Sequence, residues 1–386
     1  MPPYLAGRNV ERQEFERLLD QDIILQNLVI TGLRGIGKTV LLESFKPIAQ
    51  SKKWLWAGTD CSESVSVSEQ AIALRILTDL ALLTSNIKVG TSIKQYAGFL
   101  PQTDTKDVYL NFEFLTGYYD SVPGFVGDKL KATLLMVWQC LQNRGARGVI
   151  FAYDEAQTLS DHADEKQYPL SLLLDVFSYL QKNNVPFMLI LTGLPTLMTL
   201  LVNTRTYSER LFRVLVLDKL TDEESRDAIT IPIKRSAHPL GFSEESIELI
   251  VKHSGGYPYF IQFICREVFD VFEQQISNNE KPSVPIDAII QKLDNDFFAG
   301  RWAKATDRER ELMTLAAQHG NDEFSVQQLV ELSQKADIKP FSGSQINQML
   351  NRLIEAGLIY RNRRGSYSFA VPLLERYITR TVRQTV

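Results

Sequence analysis

The chain is poor in cysteine. Cys61, Cys140 and Cys265 are an odd number among 386 residues, they lie far apart, and no CxxC pair occurs. That usage excludes a disulfide framework and points to a reducing compartment, with the thiols as packing residues. Long apolar runs are lacking too: none approaches the ~18 residues a membrane span needs. The first residues, MPPYLAGRNVERQEFERLL, carry charge where a secretory leader needs an apolar stretch. The expectation from these absences is a cytoplasmic protein without a membrane anchor. Positive charge is not in excess either. The formal net charge is −4, which excludes a chain that is polybasic throughout for nucleic acid or membranes. From Thr306 onward 11 lysines and arginines face 9 acids, against 31 and 37 before it, so only the tail leans basic. Internal repeats and low-complexity segments are absent.

What is present is a substantial core. Apolar residues make up 44% of the sequence, and the length suits two or three domains. VERQEFERLLD has the spacing of a short amphipathic helix, with Phe15, Leu18 and Leu19 on one side. NLVITG, KWLWAGTDC, GVIFAYDEAQ, FMLILTG and a run within RLFRVLVLDKL read as strands separated by helical patterns. Strands alternating with helices imply a parallel sheet covered on both faces. The helix that opens KTVLLESF is expected to stop at Pro47. Residues 62–147 exceed what such a core requires and read as a helical insert, a docking site for a partner. The core is thus expected over 1–217, followed by helices over 218–280 broken at GGYP. A proline-flanked linker at 281–305 and a small domain at 306–386 complete the chain.

GLRGIGKT, Gly32 to Thr39, follows the apolar run NLVI and opens a helix that continues into Val40. Gly32-x-x-x-x-Gly37-Lys38-Thr39 is the phosphate-loop pattern, with Leu33, Arg34, Gly35 and Ile36 between. Glycines let the backbone curl and aim its N–H groups at phosphate oxygens, and the helix presents its positive end to the same anion. Lys38 can reach the β- and γ-phosphates, and Thr39 can ligate Mg²⁺. The plain alternative is a glycine-rich turn. VIFAYDEAQ then places Asp154 and Glu155 at the end of a strand, the edge of a parallel sheet where ligands sit. Two carboxylates there need a cation. Asp154 would hold Mg²⁺ directly or through water, and Glu155 would deprotonate the attacking water. The alternative is that both acids cap a helix.

Together, GRNVE, GLRGIGKT and IFAYDEAQ resemble the AAA+ ATPases, in the branch shared by archaeal-type ATPases, replication initiators and STAND-like signalling ATPases. The resemblance covers about Tyr4 to Glu273. It implies an α/β fold, a P-loop NTPase with a three-layer αβα core and parallel sheet, a helical lid and, as a frequent companion, a C-terminal winged helix-turn-helix. ATP and Mg²⁺ are the implied cofactors. Gly7 and Arg8 match the segment that lines the adenine pocket, and Thr192 matches the polar sensor that holds the lytic water. Arg210 and Arg213, with Arg205 as an outsider, lie where the family keeps an arginine finger for a neighbouring subunit, which implies a homo-oligomer. Gly256-Tyr257-Pro258 matches the lid turn near the adenine. Replication initiators often keep a sensor arginine at the start of that helix. This sequence has none, Arg266 lying two turns further in, which favours the STAND-like side.

The tail reads as three helices and a hairpin, a winged helix-turn-helix. Ile346, Met349, Leu350, Leu353 and Ile354 form the apolar stripe of the third helix, and Gly357 ends it. As a DNA reader it would present Gln345, Gln348, Asn351 and Arg352 to the major groove and Arg361, Arg363 and Arg364 of the wing to phosphates. As a protein module it would instead pack against the ATPase core. The favoured reading is a slow, Mg²⁺-dependent ATPase that switches assembly on DNA or recruits a DNA-acting effector. The second reading is a STAND-like scaffold whose tail is a protein-interaction latch.

Overall fold

The structure, a computed structural model, describes residues 4–21, 23, 26–95, 103–205, 208–236, 241–320, 323–363 and 365–385. They fall into two units. The sheet unit is Asn9–Thr31 with Lys38–Val216, and the helical unit is Met1–Arg8, Gly32–Gly37 and Leu217–Val386.

The sheet unit holds seven described strands: β1 (Asn27–Thr31), β2 (Trp54–Asp60), β3 (Lys88–Gln95), β4 (Thr103–Tyr109), β5 (Gly148–Asp154), β6 (Phe187–Gly193) and β7 (Phe212–Val216). Five make one sheet in the order β2-β5-β6-β1-β7. Every pairing in it is parallel. β1, β5 and β6 are buried at every residue, which is why their sequences are continuous apolar runs rather than alternating ones. The described helices of this unit are α1 (Asn9–Leu19), which precedes β1, and, between strands, α2 (Lys38–Ser51), α3 (Glu69–Thr84), α4 (Phe112–Ser121), α5 (Val126–Gln142), α6 (Pro169–Lys182), α7 (Thr196–Thr204) and the short α8 (Ser208–Leu211). Phe151, Tyr153, Leu189 and Leu191 share one apolar cluster with Leu77 of α3, Leu134 of α5 and Phe177 of α6. The alternate strand positions turn to the opposite face. There α2 packs on the sheet and α1 on α2, with Phe15 and Phe45 stacked at 4.1 Å.

Two expectations for this unit need correcting. α2 does not stop at Pro47 but runs through it to Ser51. Pro47 and Glu43, whose carbonyl the missing N–H would have met, both lie on the exposed side, while Ile48 and Ala49 beyond it are buried. Water can serve the freed carbonyl, and burial holds the last turn. Residues 62–147 are not wholly helical: β3 and β4 pair antiparallel as a separate two-stranded sheet between α3 and α4.

The helical unit contains α9 (Asp222–Arg235), α10 (Glu244–Ser254), α11 (Pro258–Ser277), α12 (Ile286–Leu293), α13 (Gly300–Trp302), α14 (Asp307–His319), α15 (Val326–Lys335) and α16 (Gly343–Glu355). A two-stranded hairpin of β8 (Ile359–Arg363) and β9 (Ser366–Phe369) and a last helix, α17 (Leu374–Thr385), follow. One apolar cluster runs from Ile229 and Phe260 through Ile290 and Phe298 to Leu350 and Ile378. The stretch 281–305 is therefore no free linker. Ile286, Ile289, Ile290 and Leu293 have the i, i+3, i+4, i+7 spacing of a core-facing stripe, and they join that cluster. A π-helical turn, Asp294–Ala299, then drives Phe298 into the interior, where it stacks on Tyr377 of α17 at 5.3 Å.

Phe298→Ala should therefore cost about 3–5 kcal/mol, the range for a deleted core aromatic. Urea unfolding followed by Trp302 fluorescence reads it, since that indole lies 6.3 Å from the Tyr377 ring. A loss below about 1 kcal/mol would mean that 281–305 is a tether after all.

Candidate functional site

At the carboxyl edge of the sheet the register is explicit. Thr192 lies beside Ile30 of β1, and Leu191 beside Tyr153 of β5, so β6 sits between the strand that leads into the glycine loop and the strand that ends in Asp154. Thr39, in the first turn of α2, donates its hydroxyl to Asp154 Oδ2 at 2.5 Å. Asp154 Oδ1 accepts the Glu155 N–H at 2.8 Å. The carboxylate is only 4% exposed, and Lys38 beside Thr39 is also buried. Burial pushes the Asp154 carboxyl above its ordinary pKa, and the charges of Glu155 and Asp60 add to the rise. What opposes it is neutral: the Thr39 hydroxyl and the Glu155 N–H.

Glu155 is itself exposed, and its backbone is left-handed, with φ 52°. A β-substituted residue adopts that conformation at a cost, and such outliers gather at working sites. Sequence reasoning passed over Gln157. Its amide donates to Glu155 Oε2, and its Oε1 accepts the Leu194 N–H at 3.0 Å. It thus ties the second acid to the loop after β6. The stretch AYDEAQ contained the residue, but only the helical turn Ala156–Thr158 turns its side chain back. Thr192 is fully buried, and its hydroxyl has no hydrogen-bond partner. The three thiols are free. Burial raises all of them, Cys61 and Cys265 up to about 12, so none is a thiolate at neutral pH.

The glycines of the loop belong to the helical unit. Gly35 has φ +73°, and a Cβ there would fall 2.8 Å from Tyr259 Cβ. The Tyr259 N–H donates to Gly35 O at 3.1 Å. Gly32 packs on Leu217 and Gly37 faces Pro258, the first residue of α11. Ile36 is buried, while Leu33, Arg34 and Val40 retain solvent contact. Gly7 has φ +63° against Leu220 and Glu224. Arg8, expected to line an adenine pocket, is buried and spends Nη2 on main-chain carbonyls: Ile36 O at 3.2 Å and Asp218 O at 2.7 Å. It braces the glycine loop from within.

The finger candidates separate. Arg205 pairs with Asp175 at 2.9 Å and Arg213 with Glu14 at 2.8 Å. Arg210 is exposed. The tail candidates divide as well. Ser342 N donates to Gln345 Oε1 at 3.0 Å in a capping box, so Gln345 serves its own helix. Arg352 reaches the buried Glu309 at 3.1 Å. Arg361 lies over the Tyr367 ring and donates to its hydroxyl at 3.2 Å. Gln348 and Asn351 are exposed on α16. Arg363 belongs to β8 by its backbone, and Arg364 lies outside the described residues.

A metal would find two side-chain oxygens ready, Thr39 Oγ1 and Asp154 Oδ2. No group of three or more His, Cys, Asp or Glu side chains that could hold an ion alone occurs among the described residues. That donor set suits Mg²⁺, which is usually held by one or two side chains with substrate phosphates completing its shell. The curled glycine backbone and a lysine at its end suit a polyphosphate.

Comparison with known proteins bears on the fold. Residues 295–378 match a domain of unknown function, DUF8462. No curated protein matches the sequence. Among solved structures the chain is similar to the Walker-type ATPase of Pyrococcus abyssi, 15% identical over 97% of this chain and 96% of that one, with TM-score 0.60. It is also similar to the ORC2 protein of Aeropyrum pernix in ADPNP and ADP complexes, 14% identical over 100% and 96%, TM-score 0.54. The ADP form of that protein gives 16% and 0.55. At such identities the fold is what is shared, and it is the fold of that Walker-type ATPase and of the ORC2 protein. No helix among the described residues is long and apolar enough to cross a membrane.

The raised Asp154 carboxyl has a consequence for stability. Below its unfolded-state pKa the group is neutral in both states. As pH rises through the raised folded value the penalty of ionising it in place appears, and above that value it is complete. Asp154→Asn should therefore raise Tm at pH 7, by about 2–4 °C for each kcal/mol recovered in a unit of this size. The gain should shrink as pH falls toward 4. A lower Tm for the variant at pH 7 would overturn the assignment.

Proposed function

We propose that this chain binds ATP through Gly32–Thr39 and hydrolyses it slowly, with Mg²⁺, as a switch. The observation that carries the reading is the Thr39–Asp154 hydrogen bond at 2.5 Å, which joins the two groups a phosphate-bound metal would share. The relatives of the same fold that were solved with ADPNP and ADP support nucleotide as the ligand. Loop N–H groups and Lys38 would take the phosphate oxygens, and Thr39 with Asp154 the metal. Magnesium, when bound, would draw negative charge off the β- and γ-phosphates. Glu155, aimed by its left-handed backbone and by Gln157, would accept the proton of the attacking water. Thr192 would hold that water through its unpartnered hydroxyl. Gly7, Arg8 and Pro258 would fix the loop rather than touch the base. Arg210 is the best placed of the arginines to complete a neighbouring subunit's site, because Arg205 and Arg213 are already paired.

Lys38→Ala should weaken MgATP binding about a hundredfold. Glu155→Gln should bind normally and lose about 10²–10⁴ in turnover. Calorimetry and phosphate release read the two, and wild-type turnover by Glu155→Gln would remove the general-base role.

For the tail, two readings are supported by different residues. Exposed Gln348 and Asn351 favour action on DNA, directly or through a recruited effector. The ties of Gln345, Arg352 and Arg361 to groups of their own unit, and the core that α14–α17 share with α9–α12, favour a winged-helix latch for a protein partner. The second set is larger, and the latch is the reading we adopt. A mobility-shift assay at 150 mM salt decides. The latch expects no shift, or one indifferent to Arg361→Ala, Arg363→Ala and Arg364→Ala together, whereas a shift abolished by the triple change establishes DNA.

A further inference from the structure

Helix geometry changes inside the run that carries α12 and α13. α12 ends at Leu293, the π-helical turn covers Asp294–Ala299, and α13 starts at Gly300, so the helix is continuous from Ile286 to Trp302. A π-turn closes i to i+5 and holds one residue more than an α-turn. The extra residue falls beside two consecutive phenylalanines. Phe298 is buried, 5.3 Å from the Tyr377 ring of α17 and 5.8 Å from Phe260. Phe297 lies against Tyr259 at 5.0 Å. Tyr259 in turn gives its N–H to Gly35 O at 3.1 Å, and its Cβ fills the space beside that glycine. The first residue of the turn, Asp294, accepts from Arg380 Nε of α17 at 3.0 Å. One turn of helix thus touches both the residue that holds the glycine loop and the helix that ends the tail.

A second register is open to this helix. With α12 unmoved, an all-α path advances every later side chain by one seat. Phe297 would take the core seat beneath Tyr377, and a phenyl ring would still fill it, a volume-conserving exchange. Asp296, exposed in this structure, would take the seat at Tyr259. Trp302, 6.3 Å from the Tyr377 ring, would leave it. The all-α path regains ordinary helical hydrogen bonds, whereas the π-turn keeps a ring against Tyr259. Because the core is filled either way, those two contributions set the balance.

We propose that the Asp294–Ala299 turn is a register switch. In the π register Phe297 backs Tyr259 and Phe298 seats α17. In the α register, the minor one, Phe297 seats α17 and Tyr259 loses its backing ring. The hold on the glycine loop and the seating of the tail helix then change together, because one shift alters both contacts. The nucleotide reading above enters only as the natural stimulus: a ligand that contacts the loop differently in the two states biases the register.

The test is ¹⁹F NMR of the full chain labelled with 5-fluorotryptophan. The Trp302 signal is the one lost in Trp302→Phe, and relaxation dispersion detects a sparse second register. Asp296→Phe offers Tyr259 a ring in the α register and should raise that population about two- to tenfold, the worth of one aromatic pair. Gly35→Ala, whose Cβ would lie 2.8 Å from Tyr259 Cβ, should raise it too, without any ligand. Deleting Asn295, exposed within the turn, leaves both phenylalanines in their present seats on an all-α path and should abolish the exchange. A single, unmoved Trp302 signal in both substituted chains overturns the switch. So does a chain without Asn295 that answers Gly35→Ala as the complete chain does, and where that chain does not fold, Asp296→Phe decides alone. MgATP calorimetry on the same samples separates the two levels. Binding beside a Trp302 signal indifferent to ligand and to both substitutions leaves the nucleotide site standing and removes the switch. No heat of binding, beside a signal that answers both substitutions, supports the switch and removes the nucleotide reading.

Discussion

A carboxylate buried beside a threonine hydroxyl, with only neutral donors to soften its charge, is the constraint around which the sheet unit is arranged. Asp154 can sit there because β5 is enclosed on both sides, between β2 and β6 in the sheet and beneath helices on the faces. The same enclosure raises the free energy of its ionised form. A fold that wanted only stability would place an apolar residue or an amide at that strand end. Keeping the acid leaves a deficit that a divalent cation can fill, and the strained Glu155 backbone next to it is a second local cost at the same edge. Both costs lie where the apolar runs of β1, β5 and β6 end, so the interior that supports them is not itself compromised.

The glycine loop obeys a different logic. Its shape is fixed by groups of the helical unit: the Arg8 guanidinium under Ile36 O, the Tyr259 N–H on Gly35 O and the Leu217 backbone against Gly32. Lys38 and Thr39, the next two residues, belong to α2 of the sheet unit. In the proposed function phosphate state becomes a change in protein state through contacts with the loop that differ between states, because differential contact with the ligand is what shifts a conformational equilibrium.

Much of this was legible in the sequence, and the gaps have physical reasons. The five core strands are visible because burial on both faces demands unbroken apolar runs, and the loop and acidic pair because their residue types follow from phosphate and metal chemistry. α12 was hidden by its prolines: Pro282 and Pro285 precede a four-residue stripe too short to outweigh them in a periodicity reading. α17 escaped because arginines crowd its polar face, although Tyr377 and Ile378 hold it to the core. β3 and β4 lack the apolar alternation of a half-buried hairpin and read as neither strand nor helix. Gln157 could not be found at all from sequence, since its ties to Glu155 and Leu194 depend on one turn's geometry.

The tail's charge shows how composition can mislead when geometry is unknown. A slight excess of lysine and arginine past Thr306 suggests a surface for phosphates. Several of those arginines are spent inside the unit: Arg352 on Glu309, Arg361 on Tyr367, Arg376 on the Lys252 carbonyl and Arg380 on Asp294. A charge that is paired in the free protein gains less by meeting a phosphate, because it must first leave its partner. With so few contacts per chain, counterion release would give weak binding that collapses as salt rises. Strong association of this module with nucleic acid would then require several copies held together, each adding its few contacts at high effective concentration. Assembly would have to come before any grip on DNA, which is a further reason to read a single copy of the tail as a latch rather than as a DNA reader.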